Sequence, residues 1–564
     1  MKIVNRCFVI ILCLFYALPL HAETVLAQTP SGSAIATAHP YATDAGKEIL
    51  RAGGNAFDAA VAITAALAVV EPYSSGLGGG GFWLLHRAAD SKQIMIDGRE
   101  VAPLSASKNM YLDKKGDVIK GASINGPRAA GIPGVPAGLE HLAKNYGRLS
   151  LKETLAPAIR AAEQGFPVTQ RYQKLASYRL PVMQSFPSTS AIFLEDNRIP
   201  DLGYKIIQKD LAETLKQIAE YGATYFYTGD LASRMIQNIS HHGGLWSSQD
   251  LLRYRVIERE PVISHYKNLR IISAPPPSSG GIVLAQALTM LEGFNLSAAE
   301  DVERKHIVIE AMRRAYRDRA AYLGDPDFIQ IPQKRLLDED YLEGLAMSID
   351  LDHATPSSVL GDIPVSQQTG TNTTHFSVMD KEGNRVAATL SINLPFGSGF
   401  VIPGTGVLLN NEMDDFSAKA QTPNSYGLVG DQANAIEAGK RPLSSMSPTF
   451  IETDDRVGIL GTPGGSRIIS MVLLGILDFA EGHLPNSWVS VPRYHHQYLP
   501  DEVQFEKGGL SFLQQRALEK RGHVLNEKNR RYGNMQAILW DKKLNKLFAA
   551  SDPRGEGMAV VITQ

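Results

Sequence analysis

Residues 372–380 read NTTHFSVMD and are followed by KEG (381–383) and NRVAATLSIN (384–393). Two runs of alternating polar and apolar residues flank a three-residue loop that ends in glycine. That loop length, with Gly383 in its last place, is a favoured hairpin connection: a type I turn closed by a G1 bulge. The register follows. Thr373 falls opposite Ser391, His375 opposite Thr389 and Ser377 opposite Ala387. Phe376 and Val378 lie on the other face, against Val386, Ala388, Leu390 and Ile392. One face is apolar and core-facing and the other is polar. Directly opposed Cβ atoms lie ~5 Å apart, so the Ser391 hydroxyl stands beside the Thr373 side chain, with Asn393 projecting on the same side.

A threonine hydroxyl is a weak nucleophile and needs a base. No G-x-S-x-G elbow lies between a strand and a helix. The run before the hairpin, VSQQTGTN (365–372), is polar and poorly anchored. A cut between Asn372 and Thr373 would free an α-amine with a pKa of about 7.7–8.0, held beside its own hydroxyl. On pattern alone, Thr-rich strands also suit solvated sheet faces, and both readings stand at this point.

The rest of the chain sets bounds. Its 564 residues are 44% hydrophobic and 20% charged with a net charge of −2, which suits a large globular core and does not suggest a nucleic-acid or acidic-membrane partner. Lys2 and Arg6 flank the apolar run CFVIILCLFYALPL, and His21-Ala22-Glu23 follows; this is the pattern of a signal peptide (1–22) cut after Ala22. The run is shorter than the ~20 residues of a membrane span. Cleavage leaves 54 basic against 58 acidic residues, and it removes Cys7 and Cys13, the two cysteines of the chain. The mature protein then has no thiol, hence no disulfide and no thiolate metal site.

Asn55 caps an apolar helix, NAFDAAVAITAALAVV, which leads through YSSGLGGGGF to a strand-like FWLLH. The G-x-G-x-x-G within it, Gly76 to Gly81, follows a helix and precedes a strand, the reverse of a dinucleotide site. Residues 205–325 are mostly amphipathic helices around a strand-like RIISAPPPSSGG. The polar segment 348–372 marks a break near residue 370. Short strands follow, among them GFVIPGTGVLLNN, SPTFIETDD and RVGILGT, and then the helix SRIISMVLLGILDFAEG. His495 and His496 are adjacent rather than spaced for one metal, and no cofactor or metal is expected.

Six blocks together, EPYSSGLGGGGF, IDGRE, GTNTTHFSVMD, LLNNEMDDFSAK, KRPLSSMSPTF and GTPGGSR, resemble the gamma-glutamyltranspeptidases, N-terminal-nucleophile hydrolases, from about residue 35 to the C-terminus. The resemblance implies an α/β (α+β) fold, a four-layer αββα sandwich formed jointly by two chains cut from one precursor. Here these are 23–372 (350 residues) and 373–564 (192 residues), a large and a small subunit in one heterodimer. It implies Thr373 as nucleophile and base, Ser391 positioning it, and an oxyanion hole at Gly464 and Gly465, at the start of the following helix. It implies Arg99, Ser444 and Ser445 for an α-carboxylate, and Glu412, Asp415 and Asn393 for an α-ammonium. Family members carry Gln or Glu at the position of Glu412. Residues 417–440 match a lid, with Tyr426 over the pocket. The expected reaction passes a γ-glutamyl group from glutathione or a similar donor to water, an amino acid or a peptide, in the periplasm or outside the cell. The alternatives are a glutaryl-type cephalosporin acylase of the same fold and a non-catalytic exported binding protein.

Overall fold

The structure is a computed structural model, and it describes residues 26–361, 373–417 and 432–563. The signal peptide, Asn372 and most of the lid, Tyr426 included, lie outside the described residues.

Thirteen strands build the two main sheets. They are β1 (Gly32–Thr37), β2 (Gly80–Arg87), β3 (Lys92–Gly98), β4 (Ile257–Arg259), β5 (Val262–Tyr266), β6 (Leu269–Ser273), β7 (Thr374–Met379), β8 (Arg385–Ser391), β9 (Thr449–Glu452), β10 (Arg456–Gly461), β11 (Gln536–Asp541), β12 (Lys546–Ser551) and β13 (Met558–Thr563). The first sheet runs β13-β1-β7-β8-β2-β3-β4 and the second β12-β11-β10-β9-β6-β5. Five helices matter here: α1 (Pro40–Arg51), α2 (Ala56–Val70), α3 (Gly280–Glu292), α4 (Asp301–Tyr322) and α5 (Ile468–Ala480). Helices α1 and α2 cover the first sheet, α3 and α5 cover the second, and the sheets pack face to face, giving the αββα order.

The hairpin β7–β8 has the register read from its turn: His375 pairs with Thr389, Ser377 with Ala387 and Val378 with Val386. Its apolar face joins Ile35, Trp83 and Leu85 in the core beneath α2. The polar face is buried too, because the second sheet covers it. His375 Nδ1 is 2.8 Å from the Thr389 hydroxyl, and the Ser377 hydroxyl donates to the Gln536 carbonyl at 3.1 Å. Burial pushes the His375 imidazole down to about 3, so it is neutral.

Helix α2 is buried along its whole length and starts in a capping box between Asn55 and Asp58. The Asp380 carboxylate, at the hairpin turn, accepts from the Ala56 N–H at 2.9 Å and ties the two elements together. The glycine run 78–81 allows backbones to touch. A Cβ on Gly79 would meet the Ser391 carbonyl oxygen at 2.2 Å, and one on Gly80 the Glu100 carboxylate at 2.6 Å. The run follows α2 and leads into β2, whose first two residues are Gly80 and Gly81, as the order of elements required.

Two details depart from the sequence reading. GFVIPGTGVLLNN is not a strand but a looped segment with two isolated bridges, Val401 to Leu408 and Leu409 to Gly78, where glycines at positive φ (Gly404, Gly406) turn the chain. Helix α5 begins at Ile468, after a separate 3₁₀ turn over Gly465–Arg467, so Gly464 and Gly465 precede the helix rather than open it.

Candidate active site

At one end of the hairpin lies a pocket of about 320 Å³. Thr373, Ser391, Arg99, Asn393, Glu412, Asp415, Ser444, Ser445 and Gly465 all line it, together with Arg319 and Ser466. Nine of the residues singled out in the sequence therefore meet at one place. Gly464 does not line this pocket and faces a neighbouring one.

Thr373 immediately precedes β7 and is buried. Its neighbour Thr374 points the other way, and its hydroxyl donates to Glu71 Oε2 at 2.6 Å. Alternation along the strand thus separates the two threonines, and only Thr373 lines the pocket. Beyond β8 the chain turns at Asn393, which has φ +71°. In this left-handed conformation the Asn393 N–H donates to the Ser391 hydroxyl at 2.8 Å and the side-chain amide to the Asn411 carbonyl at 2.8 Å.

Arg99 follows β3 and is 1% exposed. Glu412 and Asp415 belong to one 3₁₀ turn, in which side chains three apart eclipse. Both therefore reach the same guanidinium. Arg99 Nη2 donates to Asp415 Oδ2 at 2.5 Å and Nη1 donates to Glu412, while Nε donates to the Pro442 carbonyl at 3.2 Å. Glu100 lies 3.3 Å from Nη1. Burial works to lower the Arg99 pKa, but Glu412, Asp415 and Glu100 outweigh it and hold it above the ordinary value. Burial pushes Glu412 up to about 7, against the pull of Arg99, and raises Asp415 and Glu100 as well. The centre is one guanidinium among three carboxyls that share its charge.

Ser444 and Ser445 are held by the strand-to-helix segment before α3. The Ser444 N–H donates to the Pro277 carbonyl at 2.8 Å, and the Ser279 hydroxyl donates to the Ser444 carbonyl at 2.8 Å. Arg319, from the last turn of α4, donates to the Ser279 hydroxyl at 2.9 Å and the Ser445 hydroxyl at 3.2 Å. Burial pulls Arg319 down to about 10. It was not legible in the sequence, because α4 is rich in arginine and nothing local sets this one apart. At the glycine turn, no hydrogen bond leaves the Gly464 or Gly465 N–H among the described residues.

His495 and His496 are buried apart from this pocket, bonded to Ser470 and Asp501. His306, Glu310 and His523 each place one nitrogen or oxygen within 4.8 Å of the others. Arg313 and Arg314 already hold the Glu310 carboxylate, which disfavours a cation there.

Fold and pocket together define an αββα hydrolase of the N-terminal-nucleophile type, with an ionic pocket at the head of its central hairpin. The sequence model of the family described as Gamma-glutamyltranspeptidase matches residues 42–562, and the chain belongs to that family. It is 42% identical to the glutathione hydrolase proenzyme of Pseudomonas sp. (strain A14), over 89% of this chain and 88% of that one. Among solved structures, the cephalosporin acylase from Bacillus halodurans superimposes with a TM-score of 0.82 at 29% identity, over 98% of this chain and 99% of its own. The gamma-glutamyltranspeptidase of Helicobacter pylori is 39% identical with a TM-score of 0.55, and 95% of that chain covers 60% of this one.

Proposed function

We propose that the chain is an autoprocessed γ-glutamyl acyltransferase and hydrolase. Residues 1–22 direct export to the periplasm or the exterior and are removed. The Asn372–Thr373 bond is then cut by the Thr373 hydroxyl, and the two resulting chains stay together. Thr373 Oγ next attacks the γ-carbonyl of a donor such as glutathione. The Thr373 α-amine takes the hydroxyl proton and delivers it to the departing amine. The γ-glutamyl ester passes to water, an amino acid or a peptide. Ser391 orients the nucleophile, the N–H groups of Gly464 and Gly465 receive the oxyanion, and the 417–440 lid with Tyr426 shields the ester.

The observation that carries this reading is the charge set around Arg99. An α-amino acid head group is a zwitterion, and the pocket presents both complements side by side. The α-carboxylate takes Arg99 together with Ser444 and Ser445, a geometry that favours bidentate pairing. The ammonium takes Asp415 and Glu412, which the guanidinium releases, with Asn393 alongside. Each buried charge exchanges one partner for another, so none is left uncompensated. The cut is supported by the relatives' designation as proenzymes and by the share of this chain that the H. pylori chain covers, close to the 350 of 564 residues of 23–372.

Intact mass of the purified protein tests the reading. Two chains are expected, one starting at Thr373. A single uncut species that hydrolyses γ-glutamyl anilides, or a Thr373→Ala variant that is still cut, would show that Thr373 is not the nucleophile. The superposition on the cephalosporin acylase favours a second reading, a glutaryl-type acylase. Glutaryl lacks the ammonium, so Asp415 and Glu412 argue against it. Faster turnover of a glutaryl than of a γ-glutamyl anilide would reverse that choice.

A further inference from the structure

The glycine turn before α5 has a pocket on each side. Gly465 lines the one that holds Thr373, and Gly464 lines a second of about 610 Å³. Arg171, Lys174, Arg530, Arg531 and Arg554 line that second pocket, and among the described residues no acidic side chain does. Their charges are unequally available. Glu506 and Asp552 hold Arg554 at 2.5 and 3.2 Å. Arg531 is 54% exposed and 3.8 Å from Glu506. Lys174 is exposed, and neither it nor Arg171 is in an ion pair among the described residues; Arg171 Nε is buried without a hydrogen-bond partner.

The basic pocket is also linked electrostatically to the strand that starts beside the nucleophile. The Arg171 guanidinium lies 5.8 Å from the Tyr73 ring and acts on Glu71, the acceptor of the Thr374 hydroxyl. Thr374 is the residue next to Thr373. The pocket thus adjoins that of Thr373 across Gly465 and Gly464, and its Arg171 acts through Glu71 on the residue next to the nucleophile.

We propose that this pocket binds the carboxylates of the group that leaves and of the group that accepts, and so selects acidic peptides. The proposal rests on the acyl-transfer reading above. The departing amine and the incoming amine use the same side of the acyl carbon, since each is bonded to it in the tetrahedral state. In the second half-reaction the acceptor nitrogen forms a C–N bond to the γ-carbonyl carbon, and the ester C–O bond to Thr373 breaks. The acceptor's proton passes through the Thr373 amine to Thr373 Oγ. A peptide attached to that nitrogen extends past the glycine turn, where its side-chain or terminal carboxylates meet Lys174, Arg530 and Arg531. These cations are partly exposed, so the gain falls as salt screens them over ~10 Å at 0.1 M.

The processed enzyme is assayed with γ-glutamyl-p-nitroanilide and two acceptors, glycylglutamate and the neutral glycylglutamine amide. At low salt the diacid is preferred by about tenfold in kcat/KM, the scale of two exposed ion pairs. The preference shrinks at high salt and disappears in Lys174→Glu/Arg531→Glu. Equal use of both acceptors by the unmodified enzyme overturns the proposal, as does a preference that survives in the double variant. If only water accepts, γ-glutamylglutamate against γ-glutamylglutamine amide as donors gives the same comparison in the leaving group, with the same outcomes. No release from any γ-glutamyl donor overturns the parent reading and this one with it.

Discussion

At the scale of single residues, Glu412 carries a measurable titration. Burial pushes its carboxyl up to about 7, with Arg99 opposing and Asp415 adding. As pH falls through 7 it takes a proton and loses its attraction for a substrate ammonium. KM for a γ-glutamyl donor is therefore expected to rise below pH 7. In Glu412→Gln that limb is expected to vanish from the pH profile, leaving the α-amine titration near 7.7–8.0. Stability moves with the same proton. A carboxyl raised above its unfolded value contributes stability that is complete below about 4.5 and is lost as pH rises through about 7. Glu412→Gln is accordingly expected to melt higher than the parent at pH 8 and close to it near pH 4.5, as read by thermal denaturation. Arg99→Lys removes the planar fork that spans Glu412, Asp415 and the Pro442 carbonyl. It should raise KM about tenfold or more, on the scale of a lost charge-assisted pair. A KM within twofold of the parent would remove Arg99 from the substrate's carboxylate.

At the scale of elements, the hairpin shows how far sequence reaches and where it stops. Turn length and alternation were enough for the register, because both are local. The burial of the polar face was not legible, because it depends on a second sheet drawn from residues about sixty or more positions away. A polar strand face is normally wet, and here His375 and Ser377 are dry because β10 and β11 lie over them. The site follows the same rule. Arg99, Glu412 and Asp415 were legible from their motifs, whereas Arg319 was not, since its place depends on where α4 ends against Ser445. GFVIPGTGVLLNN was misread because its apolar content suits a strand while its glycines permit loops. The packing of the two sheets can be tested at Gly461. A Cβ there would sit 2.3 Å from His375 Cε1, on the strand that starts beside Thr373. Gly461→Ala is expected to lower stability by roughly 1–3 kcal/mol, the usual cost of overpacking, read as a lower urea midpoint at unchanged slope. An unaltered midpoint would mean the sheets are less tightly packed than the structure describes.

At the scale of the molecule, the place of the proposed cut and the order of the strands bear on one another. In the first sheet the hairpin β7–β8 stands between β1 and β2, and β13 closes the edge against β1. In the second, β9 of the C-terminal part pairs with β6 of the N-terminal part. Strands from either side of residue 372 thus share both sheets, and every internal boundary between them is a hydrogen-bonded ladder. Severing one peptide bond at Thr373 removes none of those ladders. The 350- and 192-residue chains should therefore migrate as one particle in native gels and separate only when the whole fold melts, in a single cooperative transition. The converse is as sharp. A fragment of residues 23–372 made alone would leave β1 and β2 with open edges on both sides of a missing hairpin, and the apolar face of α2 uncovered. Such edges template aggregation, so this fragment is expected in the insoluble fraction and to be recovered as active enzyme only when refolded together with residues 373–564. A soluble, monomeric large fragment with a cooperative melt of its own would show that the first sheet closes without the hairpin, contrary to the strand order described here.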